Sequence, residues 1–240
     1  MNFIQGISDL PLKTKEVIET LFQDRTRTNL LKKHEQKAIF YLVQRIPSWI
    51  TSDILTGIGF FGNVIVFGSF ILATYFQRSF LLLSVLGFAI NWFGDSLDGR
   101  LAYYRNKPRK LYGFSLDITF DWIGILLIGL GYIVYVDGIW EMLGYGFVVM
   151  YGWEMIIALS KYRLTDKYSI DSGKFGPTEV RIVISALLVA EVLFKGSIIY
   201  TSSLVVIIMF FVNIADTKKL LRLADYMDSK QKRKFHEKNN

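Results

Sequence analysis

The segment GDSLDG at 94–99 places two aspartates three residues apart, Asp95 and Asp98, and LDITFD at 116–121 places two more four apart, Asp117 and Asp121. Each pair borders a run rich in leucine, isoleucine, phenylalanine and tryptophan. On helices, Asp95, Asp98, Gly99 and Ala102 follow i, i+3, i+4, i+7 spacing, and Gly113, Asp117 and Asp121 repeat every four. Each set makes one stripe, with carboxylates beside residues too small to fill the space. Four carboxylates in an apolar layer repel one another and are costly to desolvate unless something neutralises them. Hard divalent cations do so, because Mg²⁺ and Mn²⁺ take oxygen ligands and keep positions for substrate phosphates. Two such ions would polarise a phosphoryl group and stabilise its leaving oxygen, and the glycines would leave room for a nucleotide to approach the backbone.

The elements that must position these residues are membrane helices. The 240 residues are 52% hydrophobic and 15% aromatic, and the mean hydropathy is +0.33, more than one soluble core needs. Apolar runs of spanning length at about 52–76, 80–104, 113–136, 139–160, 176–195 and 200–215 predict an all-α polytopic fold of six transmembrane helices. Residues 1–48 form an N-terminal segment whose mixed charged and apolar pattern over 12–45 predicts an amphipathic helix at the interface. Residues 49–216 form the catalytic membrane domain, and 217–240 a basic tail that ends in the mobile-looking KQKRKFHEKNN.

Charge sets the expected orientation. Of 28 Lys and Arg, 26 fall in the N-terminal region, in the segments 100–110 and 161–181, and in the tail from Lys218; Arg78 and Lys195 alone lie on the other side. The positive-inside rule then makes both termini and the active site cytoplasmic, in the cell (inner) membrane. The net charge of +7 is accounted for by topology and anionic lipid, so no nucleic-acid partner is expected. Cysteine is absent and the two histidines, His34 and His236, lie in polar flanks, which excludes a disulfide framework, a zinc site and a His-based triad. No charged n-region precedes an apolar core and cleavage site, so a removable signal peptide is not indicated.

Depth unites the acidic residues. Asp95 lies fifteen positions from Phe80, about 22 Å into a core about 30 Å thick, and Asp121 lies fifteen from Val136 on the antiparallel neighbour. The same count reaches Glu154 from Ile139 and Glu179 from Phe194, with Arg181 two residues beyond. Polar groups from four helices therefore share one layer in the cytoplasmic third.

DSLDGRLAY at 95–103 and, nine residues later, GFSLDITFD at 113–121 closely resemble the signature of the CDP-alcohol phosphatidyltransferase family, D-x-x-D-G-x-x-A-R followed by G-x-x-x-D-x-x-x-D. The six-helix layout extends the likeness from about Pro47 to Ala215. The resemblance implies transfer of a phosphatidyl or related phospho-group from a CDP-linked donor such as CDP-diacylglycerol to an alcohol head group, releasing CMP, in phospholipid synthesis. It implies two Mg²⁺ or Mn²⁺ ions on Asp95, Asp98, Asp117 and Asp121, with Asp121 also the general base, and a homodimer among membrane lipids. The base assignment is chemically sound, since an attacking hydroxyl must lose its proton and a nearby carboxylate can take it. Gly99, Ala102, Gly113, Arg105, Asp53 and Thr56 are the candidate donor-binding residues. Tyr103 stands where the family has arginine, and Arg100, Arg105 and Lys110 are nearby cations able to replace it.

Other motifs carry two readings. GIGFFG at 57–62 matches a dinucleotide fingerprint in form, but it lies within an apolar helix with no preceding strand, so Gly57, Gly59, Gly62 and Gly68 read as helix-packing positions. Asn63 is either an interhelical hydrogen bond or a ligand contact. Glu154 either pairs with Arg181 or touches substrate. KFGPTEVR at 174–181 reads as a helix N-terminus or as acceptor-binding groups, Glu179, Arg181 and Lys174, for a phosphorylated alcohol. G-P-x-E also resembles the choline and ethanolamine phosphotransferase branch, which uses a CDP-head-group donor. A divalent-cation carrier is the competing class, although no second acidic pair supports an inverted repeat.

Overall fold

The computed structural model describes residues 31–165 and 176–239. Among them are seven α-helices, two short 3₁₀ turns and no strand. Helix α1 (Lys32–Val43) precedes α2 (Ser52–Tyr75); a 3₁₀ turn, Arg78–Leu82, runs into α3 (Leu83–Tyr104); α4 is Lys110–Tyr135. A second 3₁₀ turn, Gly138–Glu141, leads into α5 (Met142–Thr165), followed by α6 (Pro177–Leu193) and α7 (Ser197–Asn239).

The all-α membrane architecture is as expected, but the span count differs. Among the described residues five helical segments are long and apolar enough to cross a membrane: Ser52–Tyr75, Arg78–Tyr104, Lys110–Tyr135, Gly138–Thr165 and Ser197–Lys232. The sixth expected span, α6, has 17 residues, about 26 Å at 1.5 Å per residue, and carries Glu179, Arg181 and Glu191. Its ends are set by side chains rather than by bilayer thickness. Pro177 opens the helix and the Glu179 carboxylate accepts from Gly176 N at 3.0 Å. At the other end buried Glu191 accepts from Tyr135 Oη (2.9 Å), Gly196 N (3.0 Å) and Ile198 N (2.9 Å), and Gly196, at φ +87°, supplies the turn into α7. Helix α7 then continues through 239, where the sequence predicts a mobile tail.

Helices α2 and α3 make the closest contact. A Cβ on Gly62 would lie 2.5 Å from Asn91 N and Gly87 O, and one on Gly94 would collide with the Gly59 backbone. The Asn91 amide donates to Gly59 O across this seam at 3.0 Å. Two of the four packing glycines expected in GIGFFG and beyond thus serve that role; Gly57 and Gly68 face open space, with nothing within 4 Å of a built Cβ. The described part of the N-terminal segment is docked, since Ile39 and Val43 of α1 are buried against Leu55, Leu97 and Leu101. It is also tied to α6, with Leu31 N donating to Glu179 and Thr178 Oγ1 to Glu35, both at 2.9 Å.

The seam gives a direct test. Gly62→Ala, which forces a Cβ onto the α3 backbone, is expected to cost about 1–3 kcal/mol, measured as a lowered Tm in detergent. Gly68→Ala is expected to leave Tm unchanged or raise it, because alanine is the better helix former and the space is open.

Candidate functional site

The close approach of α2 to α3 sets α2 hydroxyls against the first aspartate pair. Ser52 Oγ donates to the Asp98 carbonyl and Thr56 Oγ1 to Asp98 Oδ2, both at 2.7 Å, while Gly99 N donates to Asp98 Oδ1. Asp98 and Asp117 are buried, Asp95 and Asp121 half-buried. One carboxylate oxygen from each of Asp95, Asp117 and Asp121 lies within 4.8 Å of the other two. An ion with about 2.1 Å metal–oxygen bonds holds its ligand oxygens about 3–4 Å apart, so this donor set suits a hard divalent cation with little side-chain movement. Asp98 stands beside the trio, engaged by α2.

The aspartates border a cavity of about 420 Å³. Asp95, Asp98 and Asp117 line it, together with the expected donor-side residues Asp53, Thr56, Gly99, Ala102 and Gly113. A Cβ on Gly99 or Gly113 would touch nothing within 4 Å, so both glycines widen the cavity. Asp121 lies deeper and lines a small inner void with the other three aspartates. Tyr103, at the position of the family arginine, is on the cavity wall.

The cations divide sharply. Arg100 and Lys110 line the cavity, but Arg105 does not. The Arg105 guanidinium is spent on backbone carbonyls: it donates to Ile46 O at 3.1 Å, to Pro47 O at 2.8 Å and to Ile50 O. It fastens the segment before α2 and does not line the cavity, a correction to the expected donor-binding role. Arg109, which the sequence marks only as one more loop charge, faces the cavity instead. It pairs with Asp53 and lies 4.2 Å over the Tyr112 ring. The Asp53 hydrogen bond holds its guanidinium still more firmly protonated. Phe114 and Tyr162, with ring centres 5.0 Å apart, add an aromatic wall from α4 and α5 that no spacing signals.

The acceptor candidates separate too. Arg181 reaches from α6 into the acidic layer and pairs with Asp95 at 2.5 Å. Glu154 therefore does not hold Arg181; its charged neighbours are Asp216, Lys161 and Lys219, and its Oε2 is buried with no hydrogen bond. Glu179 caps its own helix and holds Leu31, so its carboxylate serves the α1–α6 junction and not the cavity, against the expected acceptor role. Lys174 lies outside the described residues.

These features define a polytopic helical membrane protein with an acidic site suited to phosphoryl transfer. The sequence profile of CDP-alcohol phosphatidyltransferase matches residues 49–215, from the start of the α2 region into α7, and the chain belongs to that family. The match selects phosphotransfer between a CDP-alcohol donor and an alcohol acceptor over the cation-carrier alternative. No curated protein matches the chain.

The two arginines of the α3–α4 loop should separate in experiment. Arg105→Ala, which strips charge-assisted bonds from carbonyls at 46–50, is expected to cost about 1.5–3 kcal/mol in thermal unfolding. Arg109→Ala, at an exposed, solvent-screened ion pair, is expected to leave the Tm essentially unchanged. Equal losses in the two variants would contradict the division of roles.

Proposed function

We propose that the protein is a metal-dependent transferase of phospholipid synthesis, moving a phosphatidyl or related phospho-group from a CDP-linked lipid donor to a small alcohol head group. The observation that carries this reading is the carboxylate trio of Asp95, Asp117 and Asp121, two of which, Asp95 and Asp117, line a cavity of about 420 Å³ that Arg109 and Lys110 also line. The nucleotide lies over Gly99 and Gly113, where no side chain competes for space, with Ser52, Asp53 and Thr56 along one side. Arg109, Lys110 and Arg100 face the donor diphosphate, supplying the positive charge that Tyr103 does not.

Asp95, Asp117 and Asp121, with Asp98 beside them, would hold Mg²⁺ or Mn²⁺. When bound, two ions would polarise the transferred phosphoryl group and stabilise its leaving oxygen. Asp121 takes the proton of the acceptor hydroxyl as its oxygen bonds to phosphorus. The bond from that phosphorus to the bridging oxygen breaks, and CMP leaves with the electron pair. Thr56 and Gly99 N hold Asp98 in one orientation. Arg181, already drawn into the layer by Asp95, is placed to contact a phosphorylated acceptor. We also place the active site, both termini and the basic tail on the cytoplasmic side of the cell membrane, and read the working unit as a homodimer.

The mechanism predicts that EDTA abolishes CMP release and that Mg²⁺ or Mn²⁺ restores it. Asp121→Asn is expected to lower turnover by more than about 10²-fold while donor binding changes little, because an amide fills the position but takes no proton. Turnover in metal-free buffer, or near-normal turnover by the variant with every alcohol in a head-group screen, would overturn it. For orientation, the absence of cysteine permits single-cysteine labelling. Arg78→Cys should react with an impermeant reagent from outside intact cells, and Lys107→Cys should not; the opposite pattern would reverse the topology.

A further inference from the structure

Among the carboxylates lies a small, half-open void of about 10 Å³, room for about one water molecule. The four aspartates border it together with two amides, Asn63 of α2 and Asn91 of α3. Asn91 is spent on the α2–α3 seam, where it donates to Gly59 O. Asn63 is different. It is only 6% exposed, it lines the void, and no described residue hydrogen-bonds to its amide.

The amide is open to this space rather than sealed in packing, so what satisfies it is whatever the space holds. The position is also sterically reserved: a Cβ on Gly124 would collide with the Asn63 side-chain amide. Gly124 lies three residues after Asp121, on the same face of α4 and one turn deeper. Glycine on α4 thus admits the amide of α2 directly behind the proposed base.

We infer that Asn63 is a positioning residue for Asp121: through one water held in the void, its amide engages the inner oxygen of that carboxylate and turns the outer oxygen toward the reacting hydroxyl. The inference rests on the reading of Asp121 as the base. A water in this void has the polar partners it needs, since Asn63 donates to it and the carboxylate accepts from it. An error of about 1 Å in the position of a reacting group costs about 10²-fold in rate, so such a support acts on turnover more than on donor binding.

The test compares Asn63→Leu, Asn63→Ser and Gly124→Ala in the full-length protein, following CMP release, Mn²⁺ binding by electron paramagnetic resonance, and thermal unfolding. Asn63→Leu is expected to lower kcat about 10- to 100-fold, with donor KM within about 2-fold, Mn²⁺ stoichiometry unchanged and Tm not lowered. Asn63→Ser keeps a hydroxyl and leaves room for a second water, and is expected to recover most of kcat. Gly124→Ala pushes the amide aside without removing it and should reproduce the kcat loss; it decides the matter should Asn63→Leu fail to fold. Normal kcat in Asn63→Leu or in folded Gly124→Ala, or a kcat loss that serine does not relieve, would overturn the role of Asn63. Absence of both Mn²⁺ binding and CMP release in the unaltered protein would instead defeat the reading of the site itself.

Discussion

Like charge within an apolar layer is the constraint on which the rest of this structure depends. A single carboxylate at the centre of a membrane helix costs about 2.5–3.5 kcal/mol on insertion scales, and bringing four together adds mutual repulsion. Two neighbouring helices answer that cost at a particular oxygen. Helix α2 supplies the Thr56 hydroxyl to Asp98, and α6 supplies the Arg181 guanidinium to Asp95. Under the proposed mechanism bound cations would answer the same need at the trio that α3 and α4 hold together.

The glycine seam between α2 and α3 is what allows the first of these answers. With Gly59 and Gly62 facing Gly87 and Gly94, the two backbones approach closely enough for short side chains to reach across. Ser52 and Thr56 need only one carbon of reach to meet Asp98. Helix α6 solves a different problem. It is short because its ends are committed, Glu179 to the α1 junction and Glu191 to the turn into α7, and between them it carries Arg181 to the acidic layer. A longer, uniformly apolar helix would span the membrane more comfortably and deliver no cation.

Much of this was legible in the sequence because it rests on period and depth. The i, i+3 and i, i+4 spacings place each aspartate pair on one face, and counting residues from the outer loops brings both pairs to one layer. The trio within 4.8 Å realises that expectation for Asp95, Asp117 and Asp121. What periodicity does not reveal is partner choice. Glu154 and Arg181 fall at the same depth, yet depth says nothing about azimuth, and Arg181 meets Asp95 while Glu154 has Asp216, Lys161 and Lys219 as its charged neighbours. Nor does a GxGxxG pattern within a helix say which glycines meet a neighbour, since that depends on the rotation of α2 about its axis. The apolar run 176–195 marks α6 to within a few residues, and Gly176 and Gly196 record where the helix is cut.

The loop cations show the same limit most sharply. Arg105 and Arg109 lie four residues apart, carry the same charge and point to opposite duties, and the difference comes from the backbone between them. Helix α3 closes with Lys107 N donating to Ala102 O and Asn106 N to Tyr103 O, and Asn106 takes the left-handed conformation at φ +55°. Asparagine tolerates that region better than most residues, so the turn is encoded, but only once the helix end is known. The closure leaves Arg105 at the C-terminal end of α3, against the carbonyls of 46–50. The chain then reverses, and Pro108 leads Arg109 to the rim opposite Asp53. Which arginine reaches the cavity thus follows from the turn at Asn106 and not from the charge pattern of the loop.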